Sequence, residues 1–146
     1  MTLDELSACE EIRKTLAAHN QAGDGDDAQA WAATFTDDAK LATVGLQIFG
    51  REALLQWKVS HKIFATTAHR NHHVSNTLID LVSADSALVT SNWLVITDIG
   101  LDHSGRYRDR FRKTGDGWLI AQREIEIIWR ADNGFLVQAQ EAAGRA

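Results

Sequence analysis

At 146 residues with 45% apolar and 24% charged side chains, the chain sits near globular averages, which excludes a disordered, fibrous or repetitive polymer. A net charge of -5 with no compensating basic run argues against a phosphate backbone as partner, so no nucleic-acid binding is expected. The single cysteine, Cys9, excludes an internal disulfide, and its place in the first helical pattern predicts a small core residue rather than a nucleophile.

The acidic opening, MTLDELSACEE, has no apolar stretch long enough for a signal peptide or a membrane span. A soluble cytoplasmic protein with no membrane partner is expected. From Leu3 to Ala22 the apolar positions Leu6, Cys9, Ile12, Leu16 and Ala17 follow a helical rhythm, with Asp4 and Glu5 in the first turn; Gly23 and Gly25 end it around Asp24. A short second helix is predicted from about Asp26 to Thr34, with Ala30, Trp31 and Phe35 on its apolar side, closed by turn chemistry at Thr36-Asp37-Asp38. Lys40 to Val44 reads as a strand and Gln47 to Phe49 as its partner across Gly45. Gly50 leads into a third helix to about Phe64, its inner side marked by Ala53, Leu54, Trp57 and Ile63.

Four long strand segments follow, near His69 to Val82, Ala87 to Ile99, Gly105 to Lys113 and Trp118 to Arg130, with breaks at Ser83-Ala84-Asp85, Gly100 to Ser104 and Gly115-Asp116-Gly117. They read as an antiparallel meander. No proline and no linker interrupts the chain, so one domain spanning 1–146 is expected. Its parts are two helices in 1–35, short strands in 37–49, a helix over 50–64, the meander over 69–130 and a weakly specified tail from 131, with a short helix from Gln138. Helices followed by a meander give an α+β fold, one sheet face on the helices and the other open to solvent or another subunit.

Side chains alternate along a strand, so His72 shares a face with Val74, Asn76 and Leu78, while His73 lies with Ser75, Thr77 and Ile79. By the same parity Tyr107, Asp109 and Phe111 form the inner side of their strand, and Arg106, Arg108, Arg110 and Arg112 form a solvated or subunit-facing outer side with charges paired to neighbours. No metal site is expected: His69 and His72 have the wrong spacing for one face, and neither a cysteine set nor an H-E-x-x-H helix is present. Asp24, at the end of the first helix, and His72, opening a long strand, would make a general base if they met, because a carboxylate can orient an imidazole. From the residues alone, a buried structural histidine and a helix-end aspartate remain open.

The string Ala22-Gly23-Asp24-Gly25-Asp26-Asp27, followed by Trp31-Ala32-Ala33-Thr34-Phe35-Thr36-Asp37-Asp38-Ala39, resembles the start of a SnoaL-like domain of the NTF2-like superfamily. Asn71-His72-His73-Val74-Ser75-Asn76 resembles its central strand, Gly105-Arg106-Tyr107-Arg108-Asp109-Arg110-Phe111 the next-to-last and Asp116-Gly117-Trp118-Leu119-Ile120-Ala121 the last. The resemblance is nearest the branch that holds scytalone dehydratase and hexachlorocyclohexane dehydrochlorinase. It implies a cone, in which a curved antiparallel sheet is wrapped by helices on its concave side around a deep apolar pocket. It also implies an Asp-His pair at the pocket floor, roles that fall by position on Asp24 and His72.

The sequence departs from scytalone dehydratase at three places: Gly23 stands where a tyrosine precedes the aspartate, Asn92 or Trp93 where a second catalytic histidine lies, and Tyr107 where a strand asparagine lies. The acid half of that dehydratase is therefore not reproduced, whereas the base half is. The resemblance implies cofactor-independent elimination or isomerisation of a small, apolar or aromatic, cyclic molecule, with His72 and Asp24 catalytic; Tyr107 is expected as a catalytic donor to an oxygen or leaving group across the pocket. The pocket is expected from Trp31, Phe35, Trp57, Val74, Asn76, Asn92, Trp93, Asp109 and Phe111. A homo-oligomer, dimer or trimer, is implied as well. The same superfamily resemblance allows two alternatives, a non-catalytic binding or assembly subunit like the small subunits of ring-hydroxylating dioxygenases, and a polyketide-cyclase-like enzyme using Asp24 alone.

Overall fold

The computed structural model describes residues 1–61 and 68–144. Helix α1, Leu3–Asp24, starts on a capping box in which Thr2 Oγ1 accepts from the Glu5 amide at 3.2 Å and Glu5 Oε2 from the Thr2 amide at 2.7 Å. It buries Cys9, Ile12 and Leu16, and Gly25 follows its last residue. Helix α2, Ala28–Ala33, is shorter than predicted because Asp27 caps it, accepting from the Ala30 amide at 2.9 Å. Strand β1, Phe35–Thr43, already includes the Thr36-Asp37-Asp38 segment predicted as a turn. The local bond from Thr36 Oγ1 to Asp38 Oδ1 survives there inside an irregular stretch of the strand.

Strand β2, Leu46–Phe49, pairs with β1, and helix α3, Arg51–Ser60, follows, with Leu54 fully buried and Ala53 exposed. Ile63 and the expected end at Phe64 lie outside the described residues. Strands β3, Arg70–Leu81, β4, Ser86–Thr97, β5, Gly100–Thr114, and β6, Gly117–Arg130, form the expected meander, and helix α4, Phe135–Gly144, begins three residues before the predicted Gln138. Among the described residues no helix is long and apolar enough to cross a membrane.

The sheet order is β2-β1-β6-β5-β4-β3, and the sheet is curved and unclosed. It is mixed rather than wholly antiparallel, because β1 runs parallel to β6, with Phe35 opposite Ile120 and Leu41 opposite Arg123. That pairing joins the two ends of the chain's strand succession, and hydrophobic pattern alone carries no sign of it. Ile12, Leu16, Trp31, Phe35, Leu41, Leu54, Val89, Phe111, Trp118 and Ile120 meet in the main core between helices and sheet. Fully burying each side chain of this kind contributes roughly 1.5–3 kcal/mol.

Two irregularities set which side chains face inward. In β3 the pairing with β4 slips between Ser75 and Leu78, where Asn76 takes a positive φ of 50°. His72 and Val74 share the inner face as predicted, but beyond the bulge Thr77, Ile79 and Leu81 turn inward while Asn76 and Leu78 are exposed. Strand β5 starts five residues earlier than predicted. The turn after β4 is confined to Asp98 and Ile99, with Gly100 at φ 92°, so Gly100 to Ser104 is strand.

Candidate functional site

The last carbonyls of α1 need donors, and Arg70, the first residue of β3, supplies them. Its Nη2 donates to Gly23 O at 2.8 Å, to Asp24 O at 3.2 Å and to Asp26 Oδ1 at 2.9 Å. The helix end is thereby tied to the strand start. Two residues along the same face, His72 Nδ1 lies 2.5 Å from Asp24 Oδ1, and the His72 amide donates to Asp24 Oδ2 at 2.8 Å. Both carboxylate oxygens hold one residue, so the ring orientation is fixed and Nδ1 carries the proton given to Asp24. Burial opposes ionisation of Asp24, but the hydrogen bonds from the His72 ring and amide, with the charges of His72 and Arg70, outweigh it and hold the carboxyl below its ordinary value.

His72 lies on the wall of a partly open cavity of about 340 Å³ bordered by the helices, the concave sheet face and Leu136 of α4. Trp31, Trp57, Trp93 and Tyr107 line it, and Asp24 stands behind His72, reaching a neighbouring groove instead. Trp93 stacks on Tyr107 with ring centroids 5.6 Å apart, and Tyr107 also covers the Arg123 guanidinium at 3.9 Å. Burial pushes the Tyr107 hydroxyl up to about 12, with Arg123 acting against it, so it stays a neutral donor near pH 7. Space for the Trp93 indole comes from Gly105, where an added Cβ would stand 2.5 Å from that ring and 1.9 Å from the Glu126 carbonyl.

Six residues expected in the pocket lie elsewhere. Phe35 and Phe111, both without exposure, are main-core residues, Phe35 packing edge-on behind Trp31 at 5.0 Å. Asp109 is on the predicted inner side of β5 but is wholly engaged beneath the floor, its oxygens 2.8 and 2.6 Å from Arg123 Nε and Nη2. Asn92 is on the opposite face from Trp93, since adjacent strand residues cannot share one, and the bulge turns Asn76 outward. Val74 packs against the Trp93 cluster and borders the neighbouring groove rather than the cavity. Of the outer arginines, Arg108 pairs with Glu126 at 2.8 Å and Arg112 with Asp38.

The cavity also holds polar groups that the sequence reading overlooked: His19, Lys58 and His103. Lys58 Nζ sits 5.4 Å over the Trp31 ring, and its pKa is lowered first by burial and then by the charge of Arg70. His103 Nδ1 lies 2.7 Å from Asp102 Oδ1. Its signal was parity: residues 103, 105, 107, 109 and 111 alternate on one face once the strand is extended back to Gly100. Among the described residues no three of His, Cys, Asp and Glu converge as metal ligands.

His19 Nδ1 is 2.8 Å from Thr34 Oγ1, whose own proton goes to Trp31 O at 2.7 Å, so the imidazole is the donor. Complete burial, then the charges of Arg123, His72 and Lys58, keep His19 neutral with a pKa well below 6.5. The unfolded chain takes up a proton near that value and the folded one does not, so this contribution is intact above it and is lost as pH falls below it. Urea unfolding from about pH 7 down to pH 5 should lose stability with a slope approaching about 1.4 kcal/mol per pH unit from this residue. His19→Gln should flatten the slope; an unchanged slope would contradict a neutral His19.

The sequence profile of the SnoaL-like domain matches residues 4–124. The chain belongs to the SnoaL-like family. No curated protein matches it. Among solved structures, a candidate scytalone dehydratase of Novosphingobium aromaticivorans DSM 12444 superposes with a TM-score of 0.79 at 25% identity over 90% of this chain and 91% of that one. A Nostoc punctiforme PCC 73102 protein of unknown function with a cystatin-like fold gives 0.74 at 27% identity, over 88% and 93%. The LinA-type3 hexachlorocyclohexane dehydrochlorinase of Novosphingobium barchaimii LL02 shares the fold, with a TM-score of 0.76 at 17% identity over 88% and 92%. The SnoaL-like fold thus accounts for the helices on the concave face and for the cavity between them.

Proposed function

We propose that this SnoaL-like chain is a cofactor-independent lyase or isomerase in which His72, oriented by Asp24, removes a proton from a carbon of a small cyclic apolar substrate. The observation that carries the reading is the two-point hold of Asp24 on His72, ring at 2.5 Å and amide at 2.8 Å, on the wall of an aromatic cavity. A ring held in one tautomer presents Nε2 as the base, and Asp24 stabilises the imidazolium that forms. Tyr107, a neutral donor whose pKa is near 12, gives a hydrogen bond to the substrate oxygen on which charge develops. Apolar walls exclude water and strengthen both contacts.

Use of Asp24 alone as the acid/base group is less well supported, because both its oxygens are committed to His72. The outer sheet face, with Leu78, Leu88 and Ile128 exposed, is the surface we assign to association between copies. The test is turnover of cyclic hydroxyketones and chloroketones by wild type and His72→Ala. A fall of kcat by about 10² or more is expected for the variant. Wild-type turnover that survives the substitution would rule out His72 as the base.

A further inference from the structure

The cavity contains a second carboxylate-held imidazole. His72 of β3 pairs with Val95 of β4, and Val95 pairs with His103 of β5, so the two histidines stand in one cross-strand row on the concave face. Two strand spacings separate their backbones by about 10 Å, and both side chains line the same cavity. Val95, which fills the middle of the row, is fully buried and apolar, so the row has an acid–base group at each end and none between.

Asp102 holds the His103 ring through Nδ1, as Asp24 holds that of His72. Where the β4–β5 register slips, Asp102 is the extra residue, and its carboxylate turns inward with 1% exposure. It accepts from His103 Nδ1 at 2.7 Å, from Thr97 Oγ1 at 2.8 Å and from the Phe135 amide at 2.9 Å, the last at the start of α4. Nδ1 is the nitrogen Asp102 holds, so Nε2 is the one that serves the cavity. The Trp93 ring, edge-on at 5.5 Å, bounds His103 on one side. Burial lowers the His103 pKa, Asp102 beside it acts in the opposite direction, and His72 along the row lowers it further, so the protonated ring belongs to the acidic side of the pH profile.

We propose that His103, positioned by Asp102, is the second acid–base residue of this site, delivering a proton to the departing oxygen while His72 takes one from carbon. The inference rests on the reading of His72 as base. In the step, the C–H electron pair becomes the new C=C bond as His72 Nε2 takes the proton. The C–O bond breaks with its pair on oxygen, the His103 imidazolium gives its Nε2 proton to that oxygen, and water leaves. Solvent then returns a proton to His103 and removes one from His72. A hydroxyl needs such a donor and a chloride does not, so the arrangement selects hydroxylated substrates over chlorinated ones.

The test has two readouts, so that it does not depend on finding the natural substrate. First, cyclic β-hydroxyketones of one and two rings, and the matching β-chloroketones, are given to wild type, His72→Ala and His103→Gln. His103→Gln should lower kcat by about 10² on the hydroxyketones, leave the chloroketones within about three-fold, and remove the alkaline fall from the pH–rate profile. Second, two-bond ¹H–¹⁵N spectra of the imidazoles are recorded with and without saturating 2-naphthol. The Nε2 resonance of His103 should move as the phenol donates to it, and Asp102→Asn should switch the His103 tautomer. Full hydroxyketone activity in His103→Gln with loss in His72→Ala overturns this inference alone, whereas full activity in His72→Ala overturns the reading beneath it. If no ketone turns over, a His103 resonance that 2-naphthol leaves in place overturns it.

Discussion

Asp109→Ala is expected to destabilise the protein by about 3–5 kcal/mol, the cost of leaving a buried charge without its partner. Asp109 and Arg123 have no exposed side-chain surface and meet through two parallel hydrogen bonds at 2.8 and 2.6 Å. Burial opposes charge on the guanidinium and Asp109 outweighs it in the native protein; with the carboxylate removed the cation persists all the same, because a guanidinium does not give up its proton inside a protein. Its Nη1 has no hydrogen-bond partner among the described residues even in the native protein, which leaves little reserve. The ring of Tyr107, 3.9 Å away, is the remaining attraction.

Urea unfolding at neutral pH measures the loss, and a change under about 1 kcal/mol would show that the pair carries no such burden. The double replacement Asp109→Leu with Arg123→Met should recover most of it, because apolar substitutes remove the desolvation penalty together with the attraction. Tyr107 lies directly on Arg123, so the single variant should also loosen the cavity floor.

Asp24→Asn should leave the fold nearly intact and lower kcat by about 10² to 10⁴ if the His72 base operates as proposed. The His72 amide must still find an acceptor, and the new side chain has only one oxygen to offer it. Its NH₂ group then faces His72 Nδ1, which has to become the acceptor. The proton moves to Nε2, and the nitrogen that served as base is blocked. Turning the amide over avoids this only by setting its NH₂ against the His72 amide. Two-bond ¹H–¹⁵N spectra of His72 would report the switched tautomer directly, and kcat should fall more than KM changes. A variant that keeps both the wild-type tautomer and the wild-type rate would remove the argument for Asp24 as the orienting group.

The elements most visible in the sequence were those whose periodicity is set by burial. The α1 rhythm of Cys9, Ile12 and Leu16, and the inner row Tyr107, Asp109 and Phe111, were legible because one face packs and the other is wet. Asp24 and His72 were legible too, since each stands at an element boundary, yet the residue that brings them together, Arg70, was not. Its task is to meet helix carbonyls, and no side-chain pattern announces a need of the backbone. His103 went unseen for a different reason: Gly100 and Ser104 look like turn residues, and only cross-strand pairing shows that the turn is over by Gly100. The placement of Asn92 with Trp93, and of Asn76 with His72, failed on alternation and on a bulge respectively.

The bulge at Asn76 divides one strand into two independent surfaces. Ahead of it, Arg70, His72 and Val74 serve the helix end, the proposed base and the floor around Trp93; beyond it, Ile79 and Leu81 pack against the main core. A regular strand would force both halves to share one phase, so any shift that re-aimed His72 would drag Ile79 and Leu81 out of the core. With the phase reset between them, the chemistry-bearing half can vary in side chain and aim while the supporting half stays in register. The register slip thus lets side chains ahead of Asn76 be replaced or re-aimed without shifting the phase of Ile79 and Leu81 in the core.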